Sequence, residues 1–265
     1  MIYANPVAAE MASGAFYDRV GSEYLSPDKL ESDYSDVRFE RELRLFRSHC
    51  SSGAVLDVGC SSGAFLFQLN KRYPEDYQIL GTDASGPPLD YAAKMKVPVI
   101  RENFLTHSFP QSFDAVAFWA VMEHLFEPQL FLEKASTILK PGGLCFILVP
   151  NMRSMAVRLL GANYRYIYPE HLNYFTPATL RKFMEREFVL VDLKSSHFNP
   201  VVIWQDFRRG AGGVSREKRY ELLKRTTAYK KSRWMAPARA GYRLTEKVLG
   251  KMLLADNLVI IGQKV

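Results

Sequence analysis

The sequence predicts an α/β fold, a mostly parallel sheet with helices on both faces, and three observations predict it. Val55 to Phe65, V-L-D-V-G-C-S-S-G-A-F, reads as a buried strand, a glycine-punctuated turn and the start of a helix. Five apolar strand-like runs between Ala54 and Val149 alternate with helical segments, the order of a doubly wound sheet. Asp83 closes the second run about 20 residues beyond the glycine turn, where nucleoside-binding folds place an acid.

Composition sets the bounds. With 265 residues, 48% hydrophobic and 13% aromatic, the chain can bury a substantial core and suits one domain with an elaboration or one and a half domains. The first fourteen residues lack the basic start and apolar run of a signal peptide, and no later run approaches the ~20 apolar residues of a membrane span, so a cytoplasmic protein is expected. Cys50, Cys60 and Cys145 are an odd number without C-x-x-C spacing, which indicates neither a disulfide framework nor a zinc cluster. The net charge of +7 permits an anionic partner, and most of the excess is C-terminal.

Taken in order, Tyr17 to Tyr34 is rich in aromatic, Asp, Ser and Gly residues, and a helix is expected from about Ser35 to His49 on the apolar positions Val37, Phe39, Leu43, Leu45 and Phe46. Ala54 to Val58 is the first strand; Gly59 and Gly63 allow a tight turn, and Ala64 to Asn70 continues as helix. Tyr77 to Leu80 is the second strand, after which Pro87-Pro88 opens a helix through Lys96. Val97 to Ile100 and Ser112 to Trp119 supply the third and fourth. A helix from Phe126 to Leu139 is stopped by Lys140-Pro141-Gly142-Gly143, and Leu144 to Val149 is the fifth strand. Thr176 caps a helix with Pro177 in its first turn. Phe188 to Leu193 and Asn257 to Gln263 read as the last two strands, and the connection between them is long enough to carry structure of its own.

Within that connection Gly210 to Gly213 marks a turn, Ser215 to Lys231 reads as a basic helix, and a second helix repeats Arg239, Arg243, Lys247 and Lys251 beside Tyr242, Val248, Leu249, Met252 and Leu253. A solvated amphipathic cap accounts for this pattern, and so does a surface for an anionic membrane, a nucleotide-linked or other anionic substrate, or nucleic acid.

Three stretches carry a family resemblance. D-V-G-C-S-S-G resembles motif I of the class I S-adenosylmethionine-dependent methyltransferases, with Ser61 where the motif has its middle glycine. S-F-D-A-V-A-F-W followed by E-H-L-F-E-P resembles the F-D-x-V…E-H-x-x-x-P segment of small-molecule methyltransferases, and H-L-N-Y-F-T-P-A-T-L resembles a bacterial subfamily related to the ubiquinone-biosynthesis O-methyltransferases. The resemblance, which covers roughly residues 15–193 and the last strand, implies a Rossmann-like sheet of seven strands, the last antiparallel; the helical insertion between strands six and seven departs from the family, which has a short connection there. The chain is thereby expected to divide into an N-terminal lid and helix (1–50), a cofactor-binding domain (51–193 with 257–265) and a basic helical insertion (194–256) of its own.

For the site, the resemblance implies S-adenosylmethionine as cofactor and S-adenosylhomocysteine as product. Asp57, Gly59, Cys60, Ser61 and Gly63 form the turn around it. Asp83, with Ala84 beside it, meets the ribose, although an N-cap role also explains an acid there. Asn103 meets the adenine amino group, with Glu102 an alternative to it, Phe104 offers its backbone or side chain to the ring, and Trp119 and Ala120 reach the methionine part. Tyr17, Tyr24 and Tyr34 either touch ligand or pack in the core.

Glu123 and His124 stand near the methyl-transfer centre, and His171, Asn173 and Tyr174 belong to the acceptor pocket. A hydroxyl acceptor needs a base, for which His171 and His124 are the candidates, each equally compatible with a structural histidine bonded to a loop carbonyl. No motif points to an intrinsic metal. The function expected is O-methylation of a small molecule such as a sugar or phenol. The alternatives are methylation of RNA or protein, for which no N-P-P-Y-type motif follows strand four, and a cofactor-binding scaffold that does not catalyse.

Overall fold

The computed structural model describes residues 2–3, 15–164, 167, 170–198, 200–209 and 236–265. Its centre is a seven-stranded sheet formed by β2 (Gly53–Val58), β3 (Tyr77–Thr82), β4 (Val99–Ile100), β5 (Phe113–Trp119), β6 (Leu139–Pro150), β8 (Val189–Ser196) and β9 (Asn257–Gln263). The spatial order is β4-β3-β2-β5-β6-β9-β8. The first five strands are parallel, and β9 runs antiparallel between β6 and β8. The seven expected strands are therefore all present, with the last one antiparallel as expected.

The order reverses between β2 and β5: β2 passes to β3 on one side, and β5 lies on the other. Such a switch point opens a crevice at the carboxyl ends of the two strands, and ligands bind there in open α/β sheets. The strands are apolar on both faces because helices cover both. Leu56, Val116 and Phe118 pack with Leu132 of the helix Pro128–Ile138, whereas their neighbours Val55, Ala115 and Ala117 pack on the opposite face with Leu43, Phe46 and Leu66. The period of two along each strand separates the two layers.

Several boundaries differ from expectation. The first long helix runs Glu40–His49, because Ser35–Phe39 form turns in which Ser35 bonds back to the Ser32 carbonyl and Asp36 reaches across to Lys71 and Arg72. Residues Lys140 to Gly143 belong to β6 rather than to a separate stop: Gly142 donates to the Lys264 carbonyl, and Lys264 donates to that of Gly143. The helix Pro177–Met184 begins as read, with the Thr176 side chain accepting from Thr179 in a capping box. A short second sheet was not anticipated, in which β1 (Ile2–Tyr3) pairs antiparallel with β7 (Asn173–Tyr174).

In the connection between β8 and β9, helices span Pro200–Arg209 and Ala236–Lys251. The basic helix expected at 215–231 lies outside the described residues. In the second helix Leu249 and Glu246 face inward, while Val248 and Met252, expected on an apolar face, are exposed beside Lys247 and Lys251. The inward face is tied to the body of the protein. Arg41 makes a two-point ion pair with Glu246, and the Tyr242 hydroxyl donates to the Phe198 carbonyl.

Candidate active site

The turn after β2 has three residues in the left-handed region: Gly59 (φ 76°), Ser61 (φ 51°) and Gly63 (φ 75°). A Cβ on Gly59 would sit 2.5 Å from a methyl of Val121, and one on Gly63 2.9 Å from that of Ala92, so both positions need glycine for space as well as for backbone angle. Ser61 takes the same conformation with a side chain. That costs an L-residue about 1–2 kcal/mol, and its buried hydroxyl has no hydrogen-bond partner among the described residues to offset it. The turn is held to β3 by Gly59 and Cys60, whose amides donate to the Thr82 carbonyl at 2.7 and 3.0 Å.

Over the turn lies a cavity of about 290 Å³ whose lining includes Asp57, Gly59, Cys60, Ser61, Phe65 and Trp119, with Lys29 and Asp33 of the helix Pro27–Asp33 on its other side. The N-terminal segment thus covers the turn. It is pinned there by Tyr34, whose hydroxyl donates to the Ser62 carbonyl and whose ring packs on Phe67 and Tyr91. Asp57 is only 2% exposed, and its Oδ1 has no hydrogen-bond partner among the described residues. Burial, and then the neighbouring Asp83, push its carboxyl well above the usual range. The indole N–H of Trp119 is likewise buried and unpartnered. The helix Ala64–Arg72 starts from Gly63 with no side-chain cap. A buried acceptor, a buried donor and an uncapped helix start suit a ligand carrying both an ammonium and an acceptor group.

Asp83 sits at the end of β3 and is half-buried. Its Oδ2 accepts from the Ser61 amide at 2.8 Å and its Oδ1 from the Ser85 amide at 2.9 Å. Burial raises its pKa, and these backbone donors act against that. Ala84 beside it is exposed. Asn103 is exposed and spends its side-chain oxygen on the amide of Leu105. The ring of Phe104 is buried in the core, stacked on Phe131 at 5.5 Å and edge-on to Phe118, so of the expected alternatives, backbone or side chain, its backbone is the one left for a ligand.

Beyond Trp119, Ala120 turns through φ 59° and is exposed, and the chain then enters Val121 to Leu125. The Glu123 carbonyl receives the amides of Leu172 at 2.7 Å and Asn173 at 3.0 Å. Asn173 adds a side-chain latch, donating to the carbonyls of Met122 (3.1 Å) and Leu125 (2.7 Å). Its amide N–H groups are thereby committed to holding the loop.

This zipper brings three chemically active side chains together from opposite ends of the segment. Glu123 is 1% exposed, its Oε2 has no hydrogen-bond partner among the described residues, and burial pushes its carboxyl up to about 8. His124 places Nδ1 2.8 Å from the Glu170 carbonyl; a carbonyl only accepts, so Nδ1 carries the proton and Nε2 the lone pair. Burial lowers the pKa of His124, partly opposed by that carbonyl. The His171 ring lies 4.7 Å from that of His124, with Tyr174 on its far side at 6.1 Å and Tyr17 against His124 at 6.0 Å. One donor atom from each of Glu123, His124 and His171 lies within 4.8 Å of the others. The structure thus brings together three residues that the resemblance assigned to the methyl-transfer centre and the acceptor pocket.

The fold is that of the class I methyltransferases. A methyltransferase from Thermotoga maritima, described as S-adenosylmethionine-dependent and a possible histamine N-methyltransferase, superposes with a TM-score of 0.58 at 16% identity, covering 95% of this chain and 99% of that one. The [4+2]-cyclase SpnF superposes with a TM-score of 0.60 at 17% identity, covering 98% of each chain.

Residues 34–187 match the methyltransferase-domain family, and the chain belongs to it. Among curated relatives, the ubiquinone biosynthesis O-methyltransferase of Photorhabdus laumondii is 29% identical over 150 residues, 51% of this chain and 61% of that protein. The chain thus spans about three fifths of the length of the first curated relatives it matches. No helix among the described residues is long and apolar enough to cross a membrane.

Proposed function

We propose that this methyltransferase transfers the methyl group of S-adenosylmethionine to a hydroxyl oxygen of a small molecule. The observation that carries the reading is the pairing, at one switch point, of a cavity containing the orphaned Asp57 carboxylate with the buried group Glu123, His124 and His171 on the next strand end. S-adenosylmethionine, when bound, supplies an electrophilic methyl on a sulfonium.

The chain's residues then have the following roles. Asp57 accepts hydrogen bonds from the ammonium, which gives its unpartnered oxygen a donor and favours its charged form. The uncapped start of the helix Ala64–Arg72 and the turn Gly59 to Gly63, with Cys60 and Ser61, take the carboxylate side. Asp83, already braced by two amides, offers its remaining lone pairs to the ribose, next to Ala84. Asn103 and the Phe104 backbone border the adenine. Trp119 and Ala120 flank the methionine part, with the indole N–H as donor.

Removal of the acceptor's proton falls to the group of Glu123, His124 and His171, and Tyr174 forms part of the acceptor wall. Asn173 positions the loop that carries this group. Enclosure under the N-terminal helices excludes water, which favours a transfer that neutralises the sulfonium, and alignment of acceptor with methyl supplies much of the rate. The ubiquinone-biosynthesis relatives support an oxygen acceptor.

The test is a transfer assay with labelled S-adenosylmethionine against a panel of catechols, monophenols and sugars. Label incorporated into an ether oxygen, and lost in Glu123→Gln, supports the reading. Label appearing only on amines, or on none of the panel with cofactor bound, counts against it.

A further inference from the structure

We propose that the connection between β8 and β9 sets a wall of the cofactor cavity, with Arg41, Glu42, His197 and Glu246 as positioning residues. The contacts stand on the geometry alone; their effect on the cofactor rests on the cofactor-binding part of the reading above.

Neighbouring residues at the start of one helix face two ways. Arg38 and Phe39 line the cavity that contains Asp57, while Arg41 and Glu42 meet the connection. Arg41 forms its two-point ion pair with Glu246 of the helix Ala236–Lys251, and Glu42 Oε1 lies 3.2 Å from His197 Nε2. Both acids are buried, so these contacts escape much of the screening that weakens an exposed pair. The Leu43 amide donates to the Phe39 carbonyl at 2.8 Å and closes the helical turn that holds all these residues together. Displacing Arg41 and Glu42 therefore carries Phe39 with them.

On the other side, the connection is stitched where it leaves the sheet and where it returns. The His197 carbonyl accepts the Asp256 amide at 2.7 Å, and the Asn257 side-chain nitrogen lies 3.2 Å from His197 Nδ1. An amide nitrogen only donates, so Nδ1 accepts and Nε2 carries the proton toward Glu42. Ser195 Oγ lies within hydrogen-bond reach of the carbonyls of Leu249 and Gly250, at 3.3 and 3.2 Å, which seats the end of the helix Ala236–Lys251 against β8.

On the cavity side, the Phe39 ring is edge-on to Phe65 at 5.8 Å, and Phe65 packs on Trp119 at 5.0 Å; all three line the cavity. The Arg38 guanidinium lies 4.9 Å above the Phe39 ring, and its Nε donates to Asp33 of the covering helix at 3.4 Å. Loosening Phe39 disturbs both the aromatic wall and this contact. The part of the cofactor that meets the wall is its amino-acid end, placed beside Asp57, and not the adenosine end, placed at Asp83 and Asn103. Coupling of this kind is reciprocal: a ligand that fixes the wall also fixes the helix Ala236–Lys251.

The experiment uses the full chain, Glu246→Arg, Glu246→Arg combined with Arg41→Glu, and the milder Glu42→Gln, with folding checked by circular dichroism. Each is titrated with S-adenosylhomocysteine and with 5′-methylthioadenosine, which keeps the adenosine and sulfur but lacks the ammonium and carboxylate. S-adenosylhomocysteine affinity should fall about fivefold or more in Glu246→Arg, fall in Glu42→Gln, and recover in the charge-swapped pair, with 5′-methylthioadenosine affinity unchanged throughout. In the unaltered chain, S-adenosylhomocysteine should slow hydrogen exchange in the helix Ala236–Lys251.

Unchanged S-adenosylhomocysteine affinity in the folded variants overturns the positioning role and leaves the cofactor reading standing. A loss shared equally by both ligands also overturns it, because general loosening would act on the whole ligand. Failure of the charge-swapped pair to recover, or hydrogen exchange in the helix that ignores the ligand, counts against it in the same way. A folded, unaltered chain that binds neither ligand overturns the cofactor reading itself.

Discussion

Asp83 Oδ2 accepts the backbone N–H of Ser61 at 2.8 Å, so the acid at the end of β3 holds the one non-glycine residue that the glycine turn forces into the left-handed region. Asp83→Ala should therefore destabilise the ligand-free protein by about 1–3 kcal/mol, because the amides of Ser61 and Ser85 both lose their acceptor. Urea denaturation without cofactor measures it. Unchanged stability would mean that the acid serves ligand alone.

Ser61→Gly should have the opposite sign. Relief of about 1–2 kcal/mol of left-handed strain outweighs the roughly 0.5–1 kcal/mol entropic cost of a glycine, and the amide that Asp83 holds is kept. The expected gain is up to about 1 kcal/mol in the same denaturation experiment, with S-adenosylhomocysteine binding undiminished. A loss of stability would show that the serine side chain makes a compensating contact.

Asn173→Ala removes both bonds to the loop carrying Glu123 and His124 and leaves the Met122 and Leu125 carbonyls buried. About 2 kcal/mol of stability should be lost. Methyl transfer should fall further than S-adenosylhomocysteine affinity, because the acceptor side loosens while the turn after β2 does not. Equal losses of both would place the latch elsewhere in the mechanism.

The Arg41–Glu246 pair ties the helix Glu40–His49 to the helix Ala236–Lys251. A double-mutant cycle with Arg41→Ala and Glu246→Ala should give a coupling of roughly 1–3 kcal/mol, above the range of an exposed pair, because Glu246 is nearly buried. Additive effects would show that the helix is held by packing alone.

His197 supplies a pH dependence. Its Nε2 lies 3.2 Å from Glu42, and burial lowers its pKa; Glu42 and Glu246 oppose that shift, and Arg41 and Arg38 reinforce it. A histidine whose folded pKa is depressed disfavours the folded state as the unfolded chain takes up its proton. Stability should therefore fall as pH drops through about 6.5 and level off below the folded value. Melting temperatures from pH 7.5 to 5.5 check the slope, and His197→Asn, which tolerates the φ of 61°, should flatten it. An unaltered slope in that variant would assign the dependence to other groups.

What the sequence made legible was whatever local rules dictate. Gly59 and Gly63 announce a turn because their neighbours leave no room for a Cβ, Thr176 announces a helix because its hydroxyl caps it, and the apolar runs announce strands buried on both faces. What stayed hidden depends on contacts between distant residues. The direction of the Phe104 ring follows from the helix carrying Phe131, and the role of Asn173 follows from carbonyls about fifty residues earlier. Pairing of β1 with β7 rests on two residues in each strand, too few to leave a period. The backbone zipper that seats His171 beside Glu123 and His124 is likewise a contact between distant residues, although the motifs had already named all three for this region.

The central claim is that the cavity over Asp57 receives S-adenosylmethionine. Isothermal titration of the full chain with S-adenosylhomocysteine, alongside Asp57→Asn, tests it most directly. The account predicts saturable binding at one site per chain, weakened about tenfold or more when the carboxylate that meets the ammonium becomes an amide. Absence of binding to the folded chain, or equal affinity in the variant, would contradict it.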